Sequence, residues 1–305
     1  MKTLPYDQLF EENPEFYRPF IVQLFPNLRG AGLKMHQGWY SIAIDADNRL
    51  IFKFPKNDLA RQALKKEAIL LAVIQPRIRM RVPEMQLHEE GKGEIFFSIH
   101  KKIPGEALER EKYHALSEAA KNKLAKKIAQ FYLQLHCLNA EELRVVGVNE
   151  IEVWHSPEEI LNNVIPLLNN ELQSISKEIV YHYSALSPDP YGTTFGFFDG
   201  HGWNMAFDHQ REILNGIYNF ADSGFGSVHQ EFIYSNFISP DLTGRIITAY
   251  EKLSQRSLDR QRINILTSYH RLSEIADIAT MHQHLPKMIQ HYQNWLESLN
   301  MSIIK

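Results

Sequence analysis

The sequence has a single cysteine among its 305 residues, Cys137, so an internal disulfide is excluded. Cysteine this sparse suits a reducing compartment, and the expected location is the cytoplasm. Cys137 follows an apolar helical stretch and is expected to be a small buried side chain rather than a reactive thiol. Charge of one sign is also scarce, with a formal net charge of −3. That is not the basic excess of a nucleic-acid binder, and no nucleic-acid partner is expected. Long hydrophobic runs are missing too. The longest clean one, Ala68 to Ile74, falls far short of the roughly 20 residues that span a bilayer, so no membrane partner is expected. Asp7, Glu11 and Glu12 do not suit a signal peptide. Internal repeats and low-complexity segments are absent.

What is present is an ordinary globular composition, 44% hydrophobic and 23% charged, on a chain long enough for two lobes. Residues 6 to 25 read as helical, broken at Pro14. From Leu33 to Phe54 the period changes to that of three short strands, with turns at Gln37-Gly38-Trp39 and at Asp45 to Asn48. Asp58 is placed to cap a helix that runs to about Ile74, where Gln75-Pro76 stops it. A strand pair follows around Val82 to Leu87 and Gly93 to His100, split by a turn at residues 89–93. Lys101 to Gly105 reads as a crossing segment.

Beyond Gly105 the pattern turns helical. Leu116 to Leu138 is a long amphipathic helix, and Ser156-Pro157-Glu158-Glu159 opens another with Ser as N-cap and Glu three residues on. Between Tyr191 and Gly226 lies one island of strands and loops, and Asn215-Gly216 within it is a hairpin turn signal. From Pro240 the chain is helical again. The expected division is a sheet-rich lobe over residues 1–101 and a helical lobe over residues 102–305.

The island carries the most chemistry. Asp199 and Asn204 stand five apart in a loop bounded by Gly200 and Gly202, and Asn219-Phe220-Ala221-Asp222 follows the hairpin. Taken alone, these are also what two Gly-rich turns look like. Lys53 in the third strand and Glu67 fourteen residues on, mid-helix, can form an ion pair that holds phosphates; each alone reads equally as a solvated side chain. His136 reads as a packed, hydrogen-bonded histidine, and Trp39 and Trp203 as packing residues. Residues 141–159 hold six Glu against one Arg, which suits either a cationic substrate or a solvated surface.

The ordered set of these features, from about Leu33 to Glu231, resembles the aminoglycoside phosphotransferase family, which shares the protein-kinase fold. Gln37-Gly38-Trp39 is similar to that family's turn over the phosphates, and Lys53 and Glu67 to its strand Lys and helix Glu. Ile103-Pro104-Gly105-Glu106-Ala107-Leu108 is similar to its motif after the hinge. Phe197 to Asn204 resembles its His-Gly-Asp-x4-Asn loop, and Ile217 to Asp222 its Ile-Ile-Asp-Phe-Gly-Asp segment. The resemblance implies an α+β, protein-kinase-like fold of two lobes, a small antiparallel-sheet lobe and a larger helical one. It implies a kinase that passes the terminal phosphate of ATP or GTP to a hydroxyl of a small molecule, with Mg2+ as cofactor. Asp199 would then be the catalytic carboxylate. Lys53, Glu67 and Gly38, with the backbone from Lys101 to Ile103, would bind the nucleotide. Asn204, Asn219 and Asp222 would hold the metal.

Three positions depart from the family pattern. Phe197 stands where a bracing His is usual, which implies a looser or differently braced loop. Asn219 stands where the family has the main carboxylate on the metal, which removes a full charge beside a divalent ion. Asp222, three residues on, is the nearest replacement. Ala221 replaces a Gly and is expected to stiffen its turn. Three readings stay open: a kinase of the aminoglycoside phosphotransferase type, a degenerate kinase-fold module that binds without transfer, and a kinase of the same fold for an amino alcohol or sugar.

Overall fold

The computed structural model of the protein describes residues 13–38, 40–90, 95–281 and 284–299. In chain order its principal elements are α1 (Arg18–Leu24), β1 (Leu33–Gln37), β2 (Ser41–Ala46), β3 (Leu50–Pro55), α2 (Asp58–Ile74), β4 (Gln86–Glu90) and β5 (Ile95–Lys101). Then come α3 (Arg110–His114), α4 (Glu118–His136), α5 (Ala140–Val145), α6 (Pro157–Glu159), α7 (Asn170–Ser184), β6 (Thr193–Gly196), β7 (Met205–Asp208), β8 (Ile213–Ile217) and β9 (Gly224–Ser227). The last are α8 (Pro240–Ser254), α9 (Arg260–Asp277) and α10 (Leu285–Ser298). The chain folds as two compact units. The first holds Met1–Leu108, Asn139–Val148 and Trp203–Ala221; the second holds Glu109–Leu138, Asn149–Gly202 and Asp222–Lys305.

The first unit is built on a five-stranded antiparallel sheet in the order β1-β2-β3-β5-β4. Asp47 and Asn48 both take positive φ, 53° and 57°, and Arg49 N–H closes the turn on Ala46 O at 3.0 Å. That is the twist a two-strand hairpin needs, and Asp and Asn are the residues that tolerate it. Phe52, Phe97, Ile42 and Ile44 pack with Tyr17 and Ile21 into the core of this unit. The cap of helix α2 lies one residue earlier than expected: Asn57 is the N-cap and accepts from Ala60 N–H at 2.8 Å, while Asp58 lies in the first turn. There its charge complements the helix dipole. The strand expected to start at Val82 starts at Gln86.

The β7–β8 hairpin also belongs to this unit. Its turn lies at residues 209–212, where Asp208 accepts from the N–H groups of Gln210 and Arg211 at 3.0 and 2.9 Å. Asn215-Gly216 is not the turn but sits inside β8, with Asn215 Nδ2 donating to Pro104 O at 2.8 Å. Gly105 joins the crossing segment to the hairpin. Its φ is +140°, and a Cβ there would sit 2.5 Å from the Ala206 backbone. Only glycine lets Glu106 and Phe207 exchange two backbone hydrogen bonds, both 2.9 Å.

The second unit is mainly helical. Its core joins Ile160, Val164 and Leu172 to Tyr269, Leu272, Tyr292 and Trp295 from α9 and α10. Ser156 and Glu159 form the expected capping box at the start of α6, and Ser117 caps α4. Strands β6 and β9 pair antiparallel inside this unit. Among the described residues no helix is long and apolar enough to cross a membrane. The expectations for residues 6–12, Trp39 and residues 91–93 lie outside the described residues.

Candidate active site

Helix α2 buries Ala60, Leu64, Glu67, Leu71 and Ile74, a stripe spaced by three and four residues. Glu67 occupies a core position on that stripe, so its carboxylate is taken out of water and needs partners. It has two in the first unit. Lys53 Nζ lies 2.9 Å from Oε2, and Phe220 N–H donates to Oε1 at 2.8 Å. One carboxylate therefore fixes both the strand lysine and the segment that follows β8. Lys53 Nζ also donates to Asn219 Oδ1 at 3.4 Å. The solvated alternatives for Lys53 and Glu67 are set aside by this geometry.

Asn219 has φ 73°, a left-handed conformation that Asn and Asp adopt more readily than other side chains. Ala221 does not have positive φ, so the replacement of glycine costs no strain there. Asn204 is buried, and its carbonyl accepts from Tyr218 N–H at 3.0 Å, which ties it to the residue before Asn219. Gly38 follows β1 and closes on Ser41, its N–H 2.9 Å from that carbonyl, and Lys56 Nζ donates to the Gly38 carbonyl at 2.6 Å. Lys101 pairs with Leu50 across β5 and β3, and Ile103 is buried. The first unit thus gathers Lys53, Glu67, Asn204 and Asn219 around one hairpin.

Asp199 and Asp222 belong to the second unit. Asp199 is 8% exposed, and its loop is anchored by a residue the sequence reading did not single out. Glu231 is fully buried and accepts from Phe197 N–H at 2.9 Å and from Phe198 N–H at 3.0 Å. His136 Nε2 lies 3.4 Å from the same carboxylate, and its Nδ1 is 2.7 Å from Tyr250 Oη, so His136 is packed and hydrogen-bonded as expected. Gly196 makes room for this: a Cβ there would fall 2.0 Å from Glu231 Oε2. Phe198 has φ 52°, a rare conformation for a bulky residue that carries strain. Glu231 fixes two consecutive amides at this point, that of Phe198 among them.

The loop is therefore differently braced rather than looser. Phe197 packs its ring edge-on against Phe131 at 5.8 Å, and the polar bracing comes from Glu231 through backbone amides. A sequence signal for Glu231 exists but is thin, a lone carboxylate in the mixed run Val228-His229-Gln230-Glu231-Phe232. Two other expectations fail. Trp203 is exposed rather than packed, and Cys137 is exposed because α4 ends at His136 and leaves it on the C-cap. The acidic stretch is divided between the two units and its glutamates are exposed, with Glu142 paired to Arg77 and Glu159 used in the capping box. That is the solvated-surface reading.

The donors available for a magnesium ion are oxygens, as a hard cation requires. Among the described residues there is no cluster of three or more His, Cys, Asp or Glu side chains built for a metal. Asn204 and Asn219 are neutral amides, and Asn219 Oδ1 already faces the Lys53 ammonium. This set fits an ion that brings most of its charge neutralisation with it on nucleotide phosphates. It does not fit an ion held by the protein alone.

Two buried histidines of the second unit, His201 and His270, favour the neutral form. His201 Nε2 stands 3.7 Å from Asp199 Oδ1, yet burial pushes its pKa well below the ordinary 6.5. Burial likewise pushes His270 down to about 3, with Arg271 adding to the effect. Each must take up a proton on unfolding below pH 6.5, so the stability present above 6.5 is lost as pH falls. Glu274 works the other way, since burial raises its pKa to about 7 and its share of stability is lost as pH rises through that value. Two histidines against one carboxyl leave acid loss in the lead. The unfolding midpoint is expected to drop between pH 6.5 and 4.5, less steeply in His270→Phe; an unchanged slope in that variant removes His270 from the acid response.

The chain belongs to the phosphotransferase enzyme family, whose model matches residues 39–283. This is the family that the order of its motifs resembles. Among solved structures, the GDP complex of a point mutant of aminoglycoside 2'-phosphotransferase-IIIa superposes with a TM-score of 0.82 at 17% identity, covering 96% of this chain and 100% of that one. The GDP and kanamycin complex of APH(2")-IIIa gives 0.77 at 18% identity, covering 92% and 97%. A macrolide 2'-phosphotransferase type I gives 0.60 at 12% identity, covering 88% and 95%. At these identities the likeness establishes the fold: α+β, kinase-like, with an antiparallel five-stranded sheet and a larger helical part. No curated protein sequence matches the chain.

Proposed function

We propose that the protein is a kinase that moves the terminal phosphate of ATP or GTP to a hydroxyl of a small molecule. The observation that carries this reading is Glu67, a buried carboxylate that holds both Lys53 and the backbone of Phe220. An ammonium placed that way, rather than left mobile, is suited to a polyphosphate. Residues 1–101 form the nucleotide lobe in this reading, with Gly38 at the phosphate turn and the backbone of Lys101 to Ile103 at the purine edge. Residues 102–305 form the lobe that carries the acceptor. The relatives in complex with GDP and with kanamycin support a nucleotide and a small hydroxyl-bearing acceptor. A cellular nucleotide supply points to the cytoplasm.

In the transfer, the acceptor oxygen forms a bond to the terminal phosphorus while the bond to the bridging oxygen breaks. The hydroxyl proton passes to Asp199, and the nucleoside diphosphate leaves. Lys53 neutralises phosphate charge. Asn204, Asn219 and Asp222 would hold Mg2+ through oxygen; when bound, the ion would supply charge neutralisation on the phosphates.

A second reading is favoured by Asn219 itself: a module that binds nucleotide without transferring phosphate. Thermal unfolding with ATP or GTP, with and without Mg2+, together with nucleotide turnover over an acceptor panel, separates the two. The expected result is a Mg2+-dependent upward shift and turnover in the unmodified protein. Absence of any Mg2+-dependent shift would count against the kinase, and absence of any nucleotide shift at all would count against both. A protein that shifts but turns over only as Asn219→Asp is the binding module.

A further inference from the structure

Helix α9 is buried almost all the way round, and nearly every polar side chain it carries inward is paired. Arg262 donates to Ser187 O at 2.8 Å, Thr267 accepts from Asn236 Nδ2 at 2.9 Å, and Ser268 accepts from Trp295 Nε1 at 2.9 Å. Arg271 is different. It is 5% exposed, its guanidinium lies 3.9 Å from the ring centroid of Phe237 and 5.4 Å from that of Trp295, and its buried Nε has no hydrogen-bond partner among the described residues. Two neighbours are in the same state. His270 Nδ1 and Glu274 Oε2 are buried without hydrogen-bond partners among the described residues, 3.8 Å apart.

A buried guanidinium without an acceptor is costly, and its planar fork is shaped for the two oxygens of a carboxylate or phosphate. Glu274 does not fill that role. It acts on Arg271 through Coulomb attraction without reaching ion-pair distance, and burial keeps its carboxyl half-neutral near pH 7. The other charges felt here include cations: Arg110 and Lys287, with Arg271, lower the pKa of His291, while Asp277 acts on Glu274. Phe237, His270 and Glu274 keep partial exposure around the guanidinium. The position matters as much as the chemistry. Phe237 packs against Arg271 on one side and against His201 on another, with ring centroids 4.5 Å apart, and His201 Nε2 is 3.7 Å from Asp199. One aromatic ring and one imidazole separate the unpaired cation from the candidate catalytic carboxylate.

We propose that Arg271 anchors an oxyanion of the acceptor molecule, so that the substrate is a hydroxylated carboxylic acid or phosphate ester. This rests on the kinase reading above. It also departs from a polycationic acceptor, which Arg271, Arg110 and Lys287 would repel.

The test uses three molecules with one skeleton: glycerol, glycerate and glycerol 3-phosphate. Each is titrated at constant ionic strength by calorimetry and thermal unfolding, with a non-hydrolysable ATP or GTP analogue and Mg2+ present. Filling the nucleotide site keeps the anions away from Lys53. The unmodified protein is compared with Arg271→Met and Arg271→Lys. The expected result is that glycerate, glycerol 3-phosphate or both bind the unmodified protein roughly tenfold or more tightly than Arg271→Met, as a charged hydrogen-bonded pair implies. Arg271→Lys, which keeps the charge and loses the fork, is expected to fall between them, and glycerol to bind all three proteins alike. Which anion binds tells carboxylate from phosphate. Arg271→Met is also expected to be as stable as the parent or more so, since it removes an unpaired buried charge. The inference is overturned if the anions bind no better than glycerol, or bind Arg271→Met equally. Should Arg271→Met not fold, equal binding to Arg271→Lys overturns it. Nucleotide protection is recorded first and separately: its absence defeats the kinase reading alone, whereas nucleotide protection without anion binding defeats this inference alone.

Discussion

Asp199→Asn is expected to lower phosphate transfer by roughly 10²- to 10⁴-fold, the usual contribution of a positioned general base. Asn has nearly the same shape, so the loop should keep its form and only the capacity to take a proton is lost. His201 does not stand in as the base. His201 is 3.7 Å from the Asp199 carboxylate, but burial disfavours its protonated form and it sits against the rings of Tyr234 and Phe237. The Mg2+-dependent stabilisation by nucleotide should persist in the variant, because Lys53 and Glu67 are untouched. Turnover equal to that of the unmodified protein would remove Asp199 from the mechanism.

The second large effect falls on Glu231. Its two oxygens each accept one backbone N–H, from Phe197 and from Phe198. Glu231→Gln keeps the volume but turns one acceptor into a donor, leaving one amide N–H facing another N–H group in a fully buried place. An unsatisfied buried donor costs about 1–3 kcal/mol. Releasing Phe198 from its φ of 52° recovers some strain, but only by letting the loop before Asp199 change shape. Denaturant unfolding should show the stability loss, and transfer should fall with it while nucleotide still binds. A Glu231→Gln protein with parental stability and parental turnover would mean that the loop is held by other contacts.

These two residues differ in how visible they are in the sequence. Asp199 stands in a local pattern, five before Asn204 between two glycines, and it can be named without coordinates. Glu231 is thirty-four residues from the amide of Phe197. It becomes meaningful only when β6 and β9 pair and bring the short 3-10 turn after β9 against the loop. Glu67 is an intermediate case. Its place on the stripe Ala60, Leu64, Leu71 and Ile74 marks it as buried, but the choice between Lys53 and a solvated fate needed the register of β3. Where the reading went astray, local signals met longer-range ones. Asn215-Gly216 has hairpin chemistry yet lies within β8, because Asp208 makes the turn earlier. Cys137 follows an apolar helix yet is exposed, because the helix stops one residue before it.

By itself the sequence determined the elements and their order, through periodicity, caps and turn residues, and with them the family. These are short-range matters, decided by which side chains lie three, four or two residues apart. Only the tertiary structure decided which polar groups are buried and what meets them. It set Glu67 between Lys53 and Phe220, placed Glu231 under the loop of Asp199, and left the buried Nε of Arg271 without a hydrogen-bond partner among the described residues. The reason is physical. The cost of burying a charge depends on the groups around it, and those come from parts of the chain that no local pattern connects.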